Sequence, residues 1–373
     1  MRVAMIGQKG IPSRAGGIEI HAENIAKRLV KLGCEVDVYC RKEYCEKEYE
    51  KDYHGINIRY APFINSKHLD AITHTFFSTI KALFSGCDIF HYHALGPSTL
   101  AFIPRIFGKK VVCTVHGLDW QRGKWGGFAS KYLKFGEYAT ARFANATITV
   151  SKNLVQYYQN KYNVLPIYIP NGIERPIKVK PDIILKKYNL KRDSYILFLA
   201  RLVPEKGAHY LIKAYKALKT DKKLVIAGGS SHSDNYEQEL RESAKDNKNI
   251  IFTGFISGKE LEEFYSNAFL YVLPSDIEGL PISLLEAMSY GNCCLTSDIP
   301  ENTAVIEDKG YCFIKSNTED LVSKLELLLQ NDRLVKVSKE TAADFVINQY
   351  NWDSVTKQTM DVYESIMIKR KHG

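Results

Sequence analysis

Short apolar runs alternate along the chain with longer segments whose apolar positions recur at helical spacing, and the alternation runs through twice. In the first round the pattern predicts strands at 3–8, 35–40, 57–61, 88–94, 110–116, 146–150 and 167–170. Helices are expected between them at 18–32, 69–84, 97–107 and 127–143, with a short one ending near 162. The second round gives strands at 195–202, 223–227, 250–254, 270–274, 292–296 and 311–314. Its helices fall at 208–218, 235–246, 258–267 and 281–291, followed by two or three closing helices. Strands that alternate with helices form parallel sheets covered on both faces, which is the doubly wound α/β class, with chemistry at strand carboxyl ends. The turn-rich joint Asn171-Gly172-Ile173-Glu174-Arg175-Pro176 separates the rounds. The expected domains are therefore 1–172 and 173–351, with the helix at about 352–370 packing back onto the first.

Composition agrees and adds a bias. At 373 residues, 45% hydrophobic and 25% charged, the chain suits about two soluble domains. No apolar run approaches the roughly 20 residues that span a bilayer. Met1-Arg2-Val3-Ala4-Met5-Ile6-Gly7 leads into a glycine loop and not a long apolar core, so a cytoplasmic protein is expected. The eight cysteines form no C-x-x-C pair and read as reduced core residues. Residues 1–175 hold 24 Lys+Arg against 14 Asp+Glu, a net of +10, and the remainder is near neutral at −1. An anionic partner should meet the first half.

The chemistry concentrates at strand ends. Glu278-Gly279-Leu280-Pro281 follows a buried strand and opens a helix that carries Glu286 and ends at Gly291. Pro281 is expected at the first helical position, and Gly279 allows close backbone approach. Arg201 and Lys206 share the loop after another strand, a fork and a point charge suited to a diphosphate. Glu286 could then accept hydrogen bonds from a ribose diol, leaving Glu278 for sugar hydroxyls. His116 ends a strand, followed by Gly117, Leu118, Asp119 and Trp120. Gly16-Gly17 opens the first helix, where bare N–H groups could face a phosphate or sugar. That loop is not a G-x-G-x-x-G fingerprint. His91 and His93 lie two apart on one strand face, where a metal pair is conceivable, but with no third ligand at a sensible spacing packing, or support of another site residue, is their expected role.

Glu-Gly-Leu-Pro followed by Glu-Ala-Met-x-x-Gly resembles the Glu-x7-Glu signature of retaining glycosyltransferases of family four, which have the GT-B fold. Arg-x4-Lys at 201–206, the Gly-Gly pair and Pro-Asn-Gly-Ile-Glu at 170–174 match the same patterns in order, across nearly the whole chain. The resemblance implies two Rossmann-like domains facing a central cleft, the first for an acceptor and the second for a nucleotide sugar. It implies that Arg201 and Lys206 hold the donor diphosphate, Glu286 the ribose, and Glu278 with the backbone at Gly279 and Leu280 the sugar. His116 would lie beside the reacting carbon, Gly16 and Gly17 would close over the donor, and Asp119 and Trp120 would lie on the acceptor side. Gly-Gln-Lys-Gly-Ile-Pro with Gly-Gly-Ile-Glu looks most like bacterial rhamnosyl- and capsule- or exopolysaccharide-type transferases. The implied reaction is retaining transfer to a glycan or lipid-linked glycan, by front-face attack.

No Asp-x-Asp motif is placed for a divalent metal, so no metal cofactor is expected. Trp120 and Trp125 flank Arg122 and Lys124, ahead of a helix with Lys131 and Lys134 and an aromatic stripe of Phe128, Tyr132 and Phe135. This surface is expected to dock on an anionic membrane from the cytoplasmic side. Two other readings stand: an epimerase of the same fold, which would release an altered sugar without an acceptor, and a non-catalytic anion-binding protein. No nucleic-acid motif supports the last.

Overall fold

The computed structural model describes residues 1–12, 16–45, 52–66, 69–121, 127–229 and 234–368. Contacts divide the chain into two compact units, one of Met1–Gly172 with the chain from Trp352 onward, the other of Ile173–Asn351.

The first unit is built on β1 (Arg2–Ile6), α1 (Gly17–Lys31), β2 (Glu35–Cys40), β3 (Asp52–Tyr53), β4 (Ile56–Tyr60), α2 (Asp70–Leu83) and β5 (Ile89–His93). It continues through α3 (Leu95–Ser98), α4 (Phe102–Ile106), β6 (Lys110–Val115), α5 (Gly127–Arg142), β7 (Ala146–Thr149), α6 (Lys152–Tyr162) and β8 (Ile167–Tyr168). The sheet order is β3-β4-β2-β1-β5-β6-β7-β8, and only the β3–β4 pair is antiparallel. The central strands are apolar on both faces because helices cover both. Strand order reverses between β1 and β5, which opens the crevice where such sheets bind ligands.

The second unit contains α7 (Ile183–Tyr188), β9 (Tyr195–Leu199), α8 (Ala208–Ala217), β10 (Lys223–Ala227), α9 (Asp234–Ala244), β11 (Ile250–Gly254) and α10 (Gly258–Asn267). After these come β12 (Leu270–Leu273), α11 (Ile282–Ser289), β13 (Cys293–Ser297), α12 (Pro300–Ile306), β14 (Tyr311–Phe313), α13 (Thr318–Leu329) and α14 (Asp332–Gln349). Its sheet, β11-β10-β9-β12-β13-β14, is wholly parallel and reverses between β9 and β12. One core runs from Ile196 and Phe198 through Leu211, Val272 and Leu295 to Leu325 and Leu328.

The last helix, α15 (Trp352–Ile368), belongs to the first unit. Trp352, Val355, Val362, Tyr363 and Ile366 join the core of Val3, Met5, Ile25 and Leu29, and Arg28 Nε meets Asp353 at 2.7 Å. Among the described residues no helix is long and apolar enough to cross a membrane. All eight cysteines are free thiols, six of them buried.

Two local expectations need correction, and three short elements were not expected. The helix expected at 97–107 is two short ones. Pro104 cannot donate to an i−4 carbonyl, and 99–101 tighten into i→i−3 links such as Leu100 N–H to Pro97 O at 3.2 Å. Pro281 stands outside α11 as its cap, with extended φ −74° and ψ 106°, and its carbonyl accepts from the Leu285 N–H at 3.2 Å. Helices α7 and α12 and the two-residue β3 are too short to leave a period in the sequence.

Candidate functional site

In the second unit, the loops leaving β9, β10 and β12 are fastened to one another by backbone. Gly207 closes the 201–207 loop at φ +70°, and a Cβ there would stand 2.0 Å from the Pro274 carbonyl oxygen just after β12. Gly228, at φ +140°, is equally restricted, since its Cβ would lie 1.9 Å from Ala200 O. The Asp276 N–H donates to Glu205 O at 2.9 Å and the Leu202 N–H to Gly229 O at 3.0 Å. Glycine is required because three turns approach closer than any side chain permits.

This framework brings Lys206 and Glu278 together. Lys206 Nζ donates to Glu278 Oε1, with the side chains only 16% and 6% exposed. Arg201 is half-buried on the same loop. Glu286 lies on α11, where its Oε2 accepts from Tyr265 Oη at 3.1 Å, and the Tyr265 ring stacks on Tyr290 with centroids 5.3 Å apart. Burial, reinforced by the charge of Glu286, pushes the Tyr265 phenol well up, so it serves as a neutral donor. Tyr271, on β12, donates to Leu199 O at 3.2 Å, and burial raises its phenol likewise. The four charged residues named from sequence, with Gly279 and the buried Leu280, thus stand on the loops and helix at the β9/β12 reversal.

In the first unit His116 follows β6 and is half-buried. His93 Nδ1 lies 3.4 Å from its Nε2, and His21 packs against it edge-on with ring centroids 4.7 Å apart. His21 Nδ1 is 2.9 Å from Asn171 Oδ1. Burial lowers the His21 pKa from 6.5 to about 4, and burial with the neighbouring His91 drives His93 well below the usual range. Sequence reading did not single out His21. Its signal was positional: with Ile25 and Leu29 it repeats every fourth residue on the inward face of α1. His91 is held by Tyr363 Oη at 2.6 Å and Thr114 Oγ1 at 2.7 Å. His93 is buried as well, and in space it meets His21 and His116.

Gly16 is extended ahead of α1, which starts at Gly17. The Glu19 carboxylate occupies that first turn, where its Oε1 accepts from the Lys9 N–H at 3.1 Å. Asp119 and Trp120 form a single 3₁₀ turn. The Trp120 indole is not available to a headgroup layer. Its Nε1–H donates to the wholly buried Glu137 at 2.5 Å, and Lys134 Nζ lies 4.8 Å from its ring centre. Glu137 also accepts from Tyr157, Lys161 and Tyr162 at 2.9, 2.7 and 2.6 Å. Arg122, Lys124 and Trp125 lie outside the described residues. On α5, Phe128, Lys131, Lys134 and Phe135 are exposed, whereas Tyr132 turns in to Thr99 Oγ1 at 2.7 Å.

Comparison with known proteins identifies the family. Residues 15–175 match the family model Glycosyltransferase Family 4, and residues 181–352 match Glycosyl transferases group 1. With two such domains in that order, the chain is a glycosyltransferase of the GT-B fold. It is 28% identical to an uncharacterized glycosyltransferase of Methanocaldococcus jannaschii, over 98% of this chain and 99% of that one. It is 24% identical to the Escherichia coli UDP-Gal:alpha-D-GlcNAc-diphosphoundecaprenol alpha-1,3-galactosyltransferase, over 76% of each. Among solved structures, a sucrose-phosphate synthase from Thermosynechococcus elongatus superposes with a TM-score of 0.86 at 18% identity, covering 99% of both chains.

Proposed function

We propose that the chain moves a sugar from a nucleoside diphosphate sugar to an acceptor hydroxyl with retention of anomeric configuration, in assembly of a cell-surface polysaccharide on the cytoplasmic side of the membrane. The observation that carries this reading is the convergence of Arg201, Lys206, Glu278 and Glu286 on the strand-order reversal of the second unit. Arg201 and Lys206 take the diphosphate, and Lys206 exchanges its Glu278 partner for phosphate oxygens. Glu286, already oriented by Tyr265, receives the ribose hydroxyls. Glu278, with the backbone at Gly279 and Leu280, receives the sugar.

The main catalytic contribution is stabilisation of charge on the departing diphosphate. The family resemblance favours front-face attack, with the diphosphate taking the acceptor proton, over a covalent glycosyl intermediate on Glu278. No metal is assigned to the step. In this reading His116 lies beside the reacting carbon, Gly16 and Gly17 close over the donor, and Asp119 and Trp120 lie on the acceptor side. A rhamnosyl- or glucosyl-type donor and a glycan or lipid-linked glycan acceptor fit the family wording of the chain. The diphosphoundecaprenol acceptor in the name of the Escherichia coli relative supports the lipid-linked choice. Peripheral contact with an anionic bilayer through α5 would bring such an acceptor within reach.

A thermal-shift panel of nucleoside diphosphate sugars tests the reading, since a ligand that binds only the folded chain raises its melting temperature. One donor class should stabilise the protein and turn over only when an acceptor is added. No shift with any donor, or release of an epimerised sugar without acceptor, would overturn it.

A further inference from the structure

We propose that His21, His93 and His116 form a binding site for a divalent transition-metal ion of the zinc class, and that an ion held there inhibits transfer. The three side chains offer one ligand nitrogen each, all within 4.8 Å of one another. The His93 Nδ1 to His116 Nε2 separation of 3.4 Å equals the edge of a tetrahedron whose metal–nitrogen bonds are about 2.1 Å. Without a metal those two nitrogens share one proton. A bound ion takes its place, and the ring that carried it shifts to the other tautomer.

His21 is set up for the same task. Its Nδ1–H donates to Asn171 Oδ1, so Nε2 carries the bare lone pair, buried and with no hydrogen-bond partner among the described residues. A ligating histidine whose second nitrogen donates to an oxygen is the usual arrangement around a bound metal. His93 is braced from behind by His91, with rings 4.2 Å apart, and His91 is clamped between Tyr363 and Thr114. Converging lone pairs repel an anion and attract a cation. Three imidazoles, two buried and one half-buried, select a borderline-soft ion over magnesium or calcium and leave a fourth position on the His116 side.

The inhibition rests on the role proposed above for His116, because coordination would remove its imidazole from the reaction; the binding does not. The full chain, stripped with a chelator, is titrated with Zn²⁺ by calorimetry and with Co²⁺ by visible absorption. The expected result is one ion per chain and the intense bands of four-coordinate cobalt. Donor turnover, with the nucleotide sugar selected by the panel above, should fall as the site fills and recover with chelator. His21→Gln should weaken binding on the order of 100-fold, and Asn171→Ala by about 10–100-fold, the second serving if the first fails to fold. No stoichiometric binding, or unchanged binding in the variants, overturns the site. Stoichiometric binding with undiminished turnover overturns the inhibition and counts against the role of His116, while the donor roles of Arg201 and Lys206 stand or fall on their own variants.

Discussion

Lys206 and Glu278 satisfy one another in a place where neither is well hydrated. Arg201→Ala and Lys206→Ala should each cost about 100–1,000-fold in turnover, the usual penalty for losing one group that stabilises developing charge. The folded state should persist, because both residues lie on a loop held by backbone contacts. Near-normal turnover in either would refute the diphosphate assignment. Glu286→Gln should weaken binding of the free nucleoside diphosphate, and Glu278→Gln should spare it while impairing transfer; calorimetry showing equal losses would contradict that division. His74 gives a residue-scale test of pH. Burial, then the charge of Arg41, lowers its pKa from 6.5 to about 4. The unfolded chain takes up this proton near 6.5 and the folded chain only near 4, so the contribution is intact above pH 6.5 and declines as pH falls from there to 4. Replacing His74 with Gln should remove about one proton from the slope of stability against pH over that window, and an unchanged slope would disprove it. At this scale Arg201, Lys206 and Glu278 were readable because they lie on loops that follow strands, and Glu286 because it lies in the helix bounded by Pro281 and Gly291. His21 was not: its partners His93 and His116 come from distant strands, and only the fold joins them.

At the scale of elements, the precision of the second unit's site comes from glycine. The loop after β9 reaches Pro274 only because position 207 has no Cβ and tolerates φ +70°. Gly207→Ala adds a left-handed strain of about 1–2 kcal/mol and an overlap that must push the β9 and β12 loops apart. A melting temperature lower by on the order of 5 °C is expected, together with weaker donor binding by calorimetry. If donor affinity is untouched, the two loops do not act as one unit. Helix α11 shows why element type is easier to read than element boundary. Its apolar run and terminal Gly291 made it visible, but proline serves equally as a cap or as the first helical residue, and the sequence does not distinguish them. The broken segment at α3 and α4 follows the same logic: its apolar content suggested one helix, and Pro104, which cannot donate to the Leu100 carbonyl, leaves the stretch before α4 without a continuous ladder.

For the whole molecule, the repeated strand–helix alternation carried the fold class, and the turn-rich joint near 172 lies where the two units meet in the chain. Surface use was harder to read, because periodicity identifies which residues share a face and says less about which way that face turns. Tyr132 was grouped with Phe128 and Phe135 yet points inward, and Trp120 is tied to Glu137. The exposed residues of α5 instead include Phe128, Lys131, Lys134, Phe135, Tyr138 and Arg142, and the helix's one acid, Glu137, is buried. A stripe of aromatic rings among exposed cations, in the half of the chain that carries +10, has the composition of an interfacial helix. Each cation near an anionic bilayer contributes roughly 1 kcal/mol, so a few suffice for reversible attachment. The protein should therefore sediment with anionic vesicles at low salt, release at high salt and ignore neutral vesicles. Reversal of Lys131 and Lys134 to Glu should abolish sedimentation without lowering the melting temperature, since both side chains are exposed. Phe128→Ser should weaken sedimentation but leave its salt dependence, because it removes the apolar contribution alone. Sedimentation that persists after the double charge reversal would move the docking face elsewhere on the first unit.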